Sequence, residues 1–320
     1  MPELPEVEAL RRGLVKYLID SKILDVKVLQ EKLIAGKGTT RKASPEKTKE
    51  FISKLKNKKI ISIERRAKNL IFTLETKEII LVHLKMTGQL VFTPTAPSPS
   101  SGRRGNSAVL GGHPIQESEL KLPHKHTYII FKLDNGILYY NDVRQFGYVL
   151  YFPPSPKASD GQVKILEEHF KGLGLEPFDI NFTLKYFKEK IEELKKKKST
   201  VPIKKLLLDQ TVVVGCGNIY CDEVCWASSV LPMRPVRSLK DEEIKKIYEN
   251  IKKILDKAIN SGGSSVANYL LADGKRGNYT DYHNVYQKDH TACRFKGCKG
   301  IIEKITFAGR GTHFCPVHQK

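Results

Sequence analysis

Four potential metal ligands near the end of the chain restrict its fold more than any other feature. Cys293 and Cys298 have four residues between them, and after a further sixteen residues Cys315 is followed by His318 with two residues between them. Two pairs of soft ligands separated by a segment of hairpin length suit tetrahedral zinc, and a site with four protein ligands is structural. The tail is therefore predicted to be a β-hairpin zinc finger that holds one structural Zn²⁺ ion.

The other cysteines and nearby histidines leave one alternative open. His290 and His313 are rivals to the fourth ligand, although they are less well spaced. Six cysteines in 320 residues are too few for a disulfide framework. Cys216, Cys221 and Cys225 are therefore predicted to be small, buried apolar residues.

The charge of the chain indicates a partner class. Its 55 lysines and arginines against 35 acidic residues give a formal net charge of +20. Such an excess favours a polyanion, most simply nucleic acid. An acidic membrane surface is the alternative, but the sequence has no long apolar run and no signal-peptide pattern. We therefore expect a soluble cytoplasmic protein.

The hydrophobic periodicity changes along the chain and predicts an α+β fold. A helical pattern at the start precedes a series of strand-like runs, and Asp134-Asn135-Gly136 between two of them is a tight-hairpin signal. We predict an N-terminal antiparallel β-sandwich with a leading helix, a linker, a helical DNA-binding domain and the zinc finger. Their predicted bounds are 1–152, 153–180, 181–285 and 286–320. The strand-like runs are 23–28, 59–63, 70–74, 79–84, 127–133, 137–140 and 146–152.

Three further segments carry local signals. Residues 182–194 have the apolar spacing of a helix, and Ser238-Leu239-Lys240-Asp241 resembles a capping box that opens another. Residues 93–124 include a Pro/Ser-rich stretch without periodicity, which predicts a flexible loop.

The first residues, Pro2-Glu3-Leu4-Pro5-Glu6, carry a possible nucleophile. If Met1 is removed, Pro2 has a free secondary amine with an ordinary pKa of about 7.7–8.0, so a sizeable share is neutral at neutral pH. Such an amine can form a Schiff base with a sugar aldehyde carbon, and the adjacent Glu3 could move protons. The alternative is that both prolines only stiffen a frayed terminus.

The same opening residues resemble the N-terminus of the formamidopyrimidine-DNA glycosylase family, and the resemblance runs nearly end to end apart from residues 93–124. It implies a bifunctional glycosylase that excises oxidised purines and then cleaves the strand by β- and δ-elimination. Pro2 would be the nucleophile and Glu3 would handle protons at the sugar. Lys68 would hold phosphate and assist base departure, and Arg310 would clamp phosphates beside the lesion.

The resemblance also assigns residues that hold an opened duplex. A nucleotide must be flipped out before its base is excised. Met86, Arg144 and Phe146 match the set that fills the void, and His126 is placed among the DNA-binding positions. Val143 and Gln145 depart from the family pattern, in which a proline and a basic residue are usual, so a less rigid loop is expected.

A second group of positions lies in the helical part. Residues 204–210 and 215–223 resemble a helix–two-turn–helix, in which Lys204 and Asn218 would reach phosphates. Glu6 would contact the extruded base. The loop that would cap this base has Ala267 and Asn268 where a basic residue and an aspartate are usual, which leaves the preferred lesion open.

Two other functions fit part of the sequence. An endonuclease VIII-like enzyme for oxidised pyrimidines shares the Pro-Glu start but generally lacks the filling set. A non-catalytic zinc-finger DNA-binding protein would be favoured if Met1 were retained. The resemblance implies a monomer that binds damaged double-stranded DNA, associated with the nucleoid, and no redox cofactor.

Overall fold

The computed structural model describes residues 2–95, 109–112, 122–154, 161–196, 200–264 and 278–320, with the backbone alone at 109–112 and 161–165. The chain forms two compact units. Unit 1 comprises Met1–Lys171 and Gly262–Asn278, and unit 2 comprises Gly172–Ser261 and Tyr279–Lys320. The sequence prediction placed residues 262–264 and 278 in the helical domain, whereas the structure groups them with unit 1.

Unit 1 contains two antiparallel sheets. Its strands are β1 (Ile23–Val28), β2 (Ile60–Arg66), β3 (Asn69–Leu74), β4 (Ile79–His83), β5 (Gly88–Pro94), β6 (Val109–Gly112), β7 (Thr127–Leu133), β8 (Gly136–Asp142) and β9 (Tyr148–Phe152). One sheet has the order β1-β7-β8-β5-β6 and the other β2-β3-β4-β9. The predicted sandwich is thereby confirmed.

One apolar core joins these sheets to the first helix, α1 (Leu4–Leu18). Leu10 and Leu14 of α1, Phe131 of β7 and Phe72 of β3 belong to the same buried cluster. Because apolar residues recur every three or four positions, one face of α1 lies on this core. The residues just before α1 are therefore held against the sandwich, and this is where the N-terminal proline lies.

Two strands escaped prediction for physical reasons. Five of the seven residues of β5 are buried, so it lacks the alternation that identifies a half-buried strand. Strand β6 lies inside the segment predicted to be a loop and pairs with β5, from Gln89–Gly112 to Phe92–Val109. The loop prediction is therefore wrong at 93–94, which belong to β5, and at 109–112, while the Pro/Ser-rich stretch after residue 95 lies outside the described residues.

Unit 1 also has three helices that the sequence reading missed: α2 (Lys32–Ala35), α3 (Pro45–Leu55) and α4 (Gly161–Phe170). Helix α3 had a readable start, because the Ser44 hydroxyl accepts a hydrogen bond from the Lys47 amide at 3.2 Å and Pro45 follows it. Serine before proline is a typical N-terminal helix signal. A search for this signal would have found the helix.

Unit 2 is helical and ends in a β-hairpin. Its elements are α5 (Leu184–Lys196), α6 (Ile203–Leu208), α7 (Asn218–Ala227), α8 (Asp241–Asn260), two short 3-10 helices (Val236–Ser238 and Tyr279–Tyr282), β10 (Glu303–Phe307) and β11 (Arg310–Phe314). The predicted start of α8 is two residues early. Ser238 lies in a 3-10 helix, and the Lys240 amide donates to the Glu243 carboxylate at 2.8 Å. Among the described helices, none has the length and apolar character needed to cross a bilayer.

Candidate active site and metal-binding site

The N-terminus of unit 1 places Pro2 beside two buried carboxylates. Pro2 is buried, and Glu3 and Glu6 are each 3% exposed. The Glu6 carboxylate accepts hydrogen bonds from the Glu3 amide at 2.8 Å and from the Ser264 amide at 2.7 Å. Helix α1 begins at Leu4, so the N-terminal end of the helix directly follows Pro2 and Glu3. Pro2 and Glu3 are therefore held in fixed positions.

Glu6 also explains why residue 263, far along the chain, is a glycine. Gly263 has a φ of +82°, and a Cβ atom there would lie 2.9 Å from the Glu6 carboxylate oxygen. Only glycine adopts this conformation without strain and leaves room for the carboxylate. Glu6 therefore connects the N-terminus to the start of the segment predicted to cap the base, while the predicted Ala267 and Asn268 lie outside the described residues.

A cluster of ion pairs fixes the strand that leads to Lys68. Glu8 contacts Arg11 at 2.8 Å, Arg12 at 3.1 Å and Arg65 at 3.2 Å. Burial raises the pKa of Glu8, but hydrogen bonds and charge from these arginines outweigh it and hold the pKa below its usual value. Because Arg65 belongs to β2, this cluster joins α1 to the β2–β3 hairpin.

Lys68 occupies the turn between β2 and β3 and is buried. The preceding residue, Ala67, has a φ of +55°, and the Arg65 guanidinium donates to the Ala67 carbonyl at 2.9 Å. Burial lowers the pKa of nearby His83 to about 3, with further contributions from Lys85 and Lys68. His83 is therefore neutral at pH 7, and the positive charge around it belongs to the lysines.

Of the three residues predicted to fill an opened duplex, Arg144 contacts both of the others. A guanidinium nitrogen of Arg144 lies 3.2 Å from the Met86 sulfur, and its carbon lies 4.6 Å from the centre of the Phe146 ring. Met86 is 41% exposed and Phe146 is 48% exposed. Exposed apolar side chains beside an arginine form the surface expected of a wedge, and core packing of Met86 and Phe146 is excluded.

A buried aspartate supports this surface. Asp142 accepts hydrogen bonds from the amide of Arg144 at 3.3 Å and from the amide of Gly147 at 2.8 Å. It therefore holds both ends of the loop 143–147. The carbonyl of His126 accepts from the Asp142 amide at 3.0 Å, which places the predicted His126 beside the same loop.

In unit 2, Lys204 is buried, and this corrects its predicted role. Its ammonium contacts Asp222 at 2.6 Å, the Thr312 hydroxyl at 2.8 Å and the Gly311 carbonyl at 3.2 Å, and the residue is 1% exposed. An ammonium has three donors, and these three acceptors occupy them. The prediction that Lys204 contacts a phosphate therefore does not fit, and its ammonium instead joins α6, α7 and β11.

Asn218 and Arg310 lie beside this ion pair. The Asn218 amide donates to the Gly311 carbonyl at 2.9 Å, and Asn218 is the first residue of α7, where backbone amides favour an anion. Arg310 is exposed at the end of the β10–β11 hairpin, whose turn residues Ala308 and Gly309 both have positive φ. Asn218 and Arg310, the two residues predicted to bind phosphate, thus belong to α7 and β11, which the Lys204 ammonium joins.

The four predicted metal ligands come together in the same unit. The ligand atoms of Cys293, Cys298, Cys315 and His318 all lie within 4.8 Å of one another. The Cys298 and Cys315 sulfurs are 3.6 Å apart, and Cys293 lies 3.3 Å from His318 Nδ1. A tetrahedral site with zinc–sulfur bonds of about 2.3 Å requires sulfurs about 3.8 Å apart, so the set fits such an ion.

Neighbouring groups orient these ligands. The Nε2 atom of His318 lies 3.0 Å from the Trp226 carbonyl, which leaves Nδ1 directed at the cluster, and Phe295 stacks on the imidazole at 4.3 Å. Burial raises the pKa of Cys315, but hydrogen bonds from His318 and Val317 lower it to about 7, which favours the ligating thiolate.

The two rival histidines lie elsewhere. His313 is buried against Asp222, with Nδ1 at 3.3 Å, and His290 is exposed beside Asp289. Neither belongs to the group of described residues that could hold a metal.

Two buried acids of α7 were missed by sequence reasoning. Asp222 receives Lys204 on one oxygen and the amide of His313 on the other. Glu223 accepts from the amides of Asn284, Val285 and Tyr286 at 2.9–3.1 Å. The sequence contained a signal for both residues. Two adjacent acidic residues lie in an otherwise apolar helix, and a buried carboxylate needs a hydrogen-bond or ion-pair partner.

The protein has a sandwich with a buried Pro-Glu terminus and a helical unit that ends in a Cys/His hairpin. These features define a class of helix–two-turn–helix proteins with a metal-binding finger. The sequence model of the formamidopyrimidine-DNA glycosylase N-terminal domain matches residues 1–149, and that of the formamidopyrimidine-DNA glycosylase H2TH domain matches residues 173–269. The chain belongs to the formamidopyrimidine-DNA glycosylase family.

Individual relatives agree with this assignment over the full length. The chain is 37% identical to a formamidopyrimidine-DNA glycosylase of Streptococcus pneumoniae, covering 100% of this chain and 99% of the relative. Among solved structures, Lactococcus lactis Fpg in complex with DNA containing an abasic site has 32% identity, a TM-score of 0.78 and 99% coverage of both chains. A variant of the same protein in complex with DNA containing Fapy-dG has 33% identity, a TM-score of 0.78 and 100% coverage of both.

Proposed function

We propose that this protein is a bifunctional DNA glycosylase of base-excision repair that removes oxidised purines, formamidopyrimidines and 8-oxoguanine, and then cleaves the abasic strand. The observation that carries this proposal is the N-terminus. Pro2 is buried next to Glu3, and the Glu6 carboxylate holds the Glu3 amide at 2.8 Å. Structures of the Lactococcus lactis relative with abasic-site DNA and with Fapy-dG DNA support the same substrate class.

The proposed reaction starts at the secondary amine of Pro2. Its nitrogen lone pair forms a bond to C1′ of the damaged nucleotide, the glycosidic bond breaks, and the base leaves with the electron pair and takes up a proton. Glu3 protonates the sugar ring oxygen as the ring opens. The amine gives up its proton as the iminium forms, and the iminium keeps its positive charge, so it accepts the electrons of the C2′–H bond when that proton is removed. The enamine then returns these electrons as the C3′–O bond breaks, and the 3′ phosphate leaves with the electron pair of that bond. A second elimination then releases the 5′ phosphate.

Other residues hold the nucleotide during these steps. Lys68, in the turn between β2 and β3, would supply a positive charge to a phosphate of the extruded nucleotide. Arg310 and Asn218 supply donors for flanking phosphates. Met86 and Phe146 fill the space left by the nucleotide, and this assembled filling set favours the purine enzyme over an endonuclease VIII-like one.

We further propose that the metal held by Cys293, Cys298, Cys315 and His318 is zinc. Three thiolates and one imidazole match its preferred ligands, and four protein ligands leave no position for substrate. Bound zinc supplies structural cross-linking of the hairpin that carries Arg310, and no chemical step.

Trapping of the covalent intermediate tests the proposal. Mass spectrometry of the native protein should show that Met1 is removed, and borohydride should reduce the iminium to a permanent protein–DNA adduct on abasic DNA. Pro2→Gly protein, and a form that retains Met1, should trap poorly. Equal trapping by the form that retains Met1 would remove Pro2 as the nucleophile. Retention of Met1 in the native protein, with no trapped adduct, would favour a DNA-binding protein without catalysis.

A further inference from the structure

The loop that carries Arg144 and Phe146 is anchored at its centre by the residue between them. Gln145 has a φ of +53°, a left-handed conformation that is uncommon for residues other than glycine. Its side-chain amide donates to the Tyr128 hydroxyl at 2.9 Å and its side-chain carbonyl accepts from the Gln30 amide at 3.2 Å. These two bonds hold the left-handed backbone in place.

The two anchoring partners come from separate parts of the sandwich. Tyr128 belongs to β7 and packs against the main core, and Gln30 lies between β1 and α2. Asp142 holds the two ends of the loop through the amides of Arg144 and Gly147. Gln145 therefore connects the middle of the same loop to a rigid base.

This anchor determines how the neighbouring side chains are presented. Arg144 lies over the Phe146 ring at 4.6 Å, so residues on either side of Gln145 project together from the surface. In an extended strand, side chains two residues apart lie on the same face and point in parallel directions. The left-handed residue Gln145 instead turns the chain between Arg144 and Phe146. A change at Gln145 would therefore change the direction of the Arg144 guanidinium without removing it.

We propose that Gln145 is a positioning residue that sets the preference for the base opposite the lesion. The inference rests on the proposed function, in which Arg144 reads that base. Two donors of Arg144 must meet two acceptors of cytosine, and such a bidentate pair requires an orientation within about 10–20°. The hydrogen bonds of Gln145 to Tyr128 and Gln30 supply this orientation, in place of the stiffness that a proline at position 143 would give.

The test compares the ratio of kcat/KM for lesion·C and lesion·A duplexes among variants, because a general loss of activity cancels in the ratio. Gln145→Asn tolerates the left-handed backbone but cannot reach both partners. Tyr128→Phe removes one partner and leaves Gln145 intact. Each should lower the ratio by about three- to tenfold, a part of the five- to 150-fold that a full bidentate pair provides. The double variant should lose no more than the larger single loss.

Two further variants separate positioning from general structure. Gln145→Glu keeps an acceptor for both Tyr128 and Gln30, so it should retain the ratio while its negative charge raises KM for both duplexes. Tyr151→Phe removes a hydroxyl from β9, in the other sheet, and should leave the ratio unchanged.

Three results would overturn the inference: an unchanged ratio in Gln145→Asn, an unchanged ratio in Tyr128→Phe, or additive losses in the double variant. The proposed function has its own readout, since borohydride trapping of the wild-type protein on abasic DNA does not depend on the opposite base. Failure of that trapping removes the function, whereas normal trapping with an unchanged ratio removes the role of Gln145 alone.

Discussion

The two regions expected to contact DNA hold their side chains in opposite ways. In unit 1, Met86, Arg144 and Phe146 are exposed, and Arg144 contacts the other two side chains. In unit 2, Lys204 and Asp222 are buried and paired, and Arg310 is exposed beside them. Exposed apolar groups and buried charges are the informative exceptions to ordinary burial. The comparison shows that a motif lysine can be an interior residue that joins neighbouring elements.

The difference also separates mutations that affect DNA binding from mutations that destabilise the free protein. Truncation of an exposed DNA-contacting side chain such as Arg144 removes only surface contacts from the free protein, so its stability should change little. Truncation of one member of a buried pair leaves the other charge without compensation, so the free protein should be destabilised. Four predictions follow this division, from the largest expected change in free energy to the smallest.

Removal of the metal should have the largest effect, and it should be confined to unit 2. Cys315→Ser removes a buried ligand, and structural zinc contributes apparent free energies of about 10–16 kcal/mol to small zinc-binding folds. Elemental analysis should find less than one zinc per chain, and DNA affinity should fall. Calorimetry should still show the unfolding transition of the sandwich. Stoichiometric zinc in this variant would disprove the assigned ligand set.

Loss of the carboxylate next to Pro2 should slow base release without affecting the fold. Glu3→Gln should lower the excision rate by about 10²–10⁴-fold, the usual contribution of a positioned acid or base. Borohydride trapping on abasic DNA should fall less, because no base has to leave. Glu64→Gln, at an exposed position of β2, is the matched control. Equal losses in both assays would show that Glu3 does not act in base departure.

Truncation of Lys204 should destabilise unit 2 and leave the salt dependence of binding unchanged. Lys204→Ala leaves Asp222 buried without its ammonium partner, which costs about 3–5 kcal/mol. Urea unfolding followed by fluorescence reports on unit 2, because the only tryptophan of the chain, Trp226, lies there. The exposed neighbour provides the control variant Lys205→Ala, which should retain stability.

The salt dependence of DNA binding distinguishes a buried structural role of Lys204 from a direct phosphate contact. A lysine that contacts a phosphate would reduce the slope of log K against log salt by about one when truncated. The buried geometry predicts no change, measured at a temperature where the variant is folded. A reduced slope with unchanged stability would restore the direct phosphate contact.

Truncation of Arg144 should have the smallest effect and should change specificity only. Cytosine without its partner presents two acceptors, O2 and N3, and the guanidinium offers two donors, whereas adenine opposes one of them with its own amino donor. The preference for lesion·C over lesion·A should be about 1–3 kcal/mol, and Arg144→Ala should abolish it without a change in unfolding free energy. Lys132→Ala removes an exposed charge from β7 and serves as the control. Full preference in Arg144→Ala would show that the loop is misassigned.

Features that depend on local spacing could be predicted from the sequence. The bounds of β1 were correct, the Asp134–Gly136 turn joins β7 to β8, and the four metal ligands include an uncommon histidine. Short-range signals suffice for these, because turn residues and paired ligands act over a few positions. The exposure of Met86 and Phe146 followed only from the family resemblance, since isolated residues of these types are usually core.

Features that depend on partners far along the chain could not be predicted. Strand β5 has five of its seven residues buried, so it lacks the alternation that marks a strand and was missed. The pairing of Lys204 with Asp222 and with Thr312, 108 positions away, turned a predicted surface group into an interior one. Gln145 was read as a departure from the family pattern, and its anchor became visible only with Tyr128 and Gln30 in place.

The bond between Glu6 and Ser264 has a consequence for the order of events during synthesis. Its two partners are 258 positions apart. At about 5–20 residues per second, roughly 13–50 s pass between the translation of Glu6 and that of Ser264. During this interval the N-terminus lacks its final partner and is open to the enzyme that removes Met1, whereas Pro2 is buried in the finished fold. The rate of synthesis therefore sets a time window for removal of Met1, and a chain that closed first would keep the proposed nucleophile blocked.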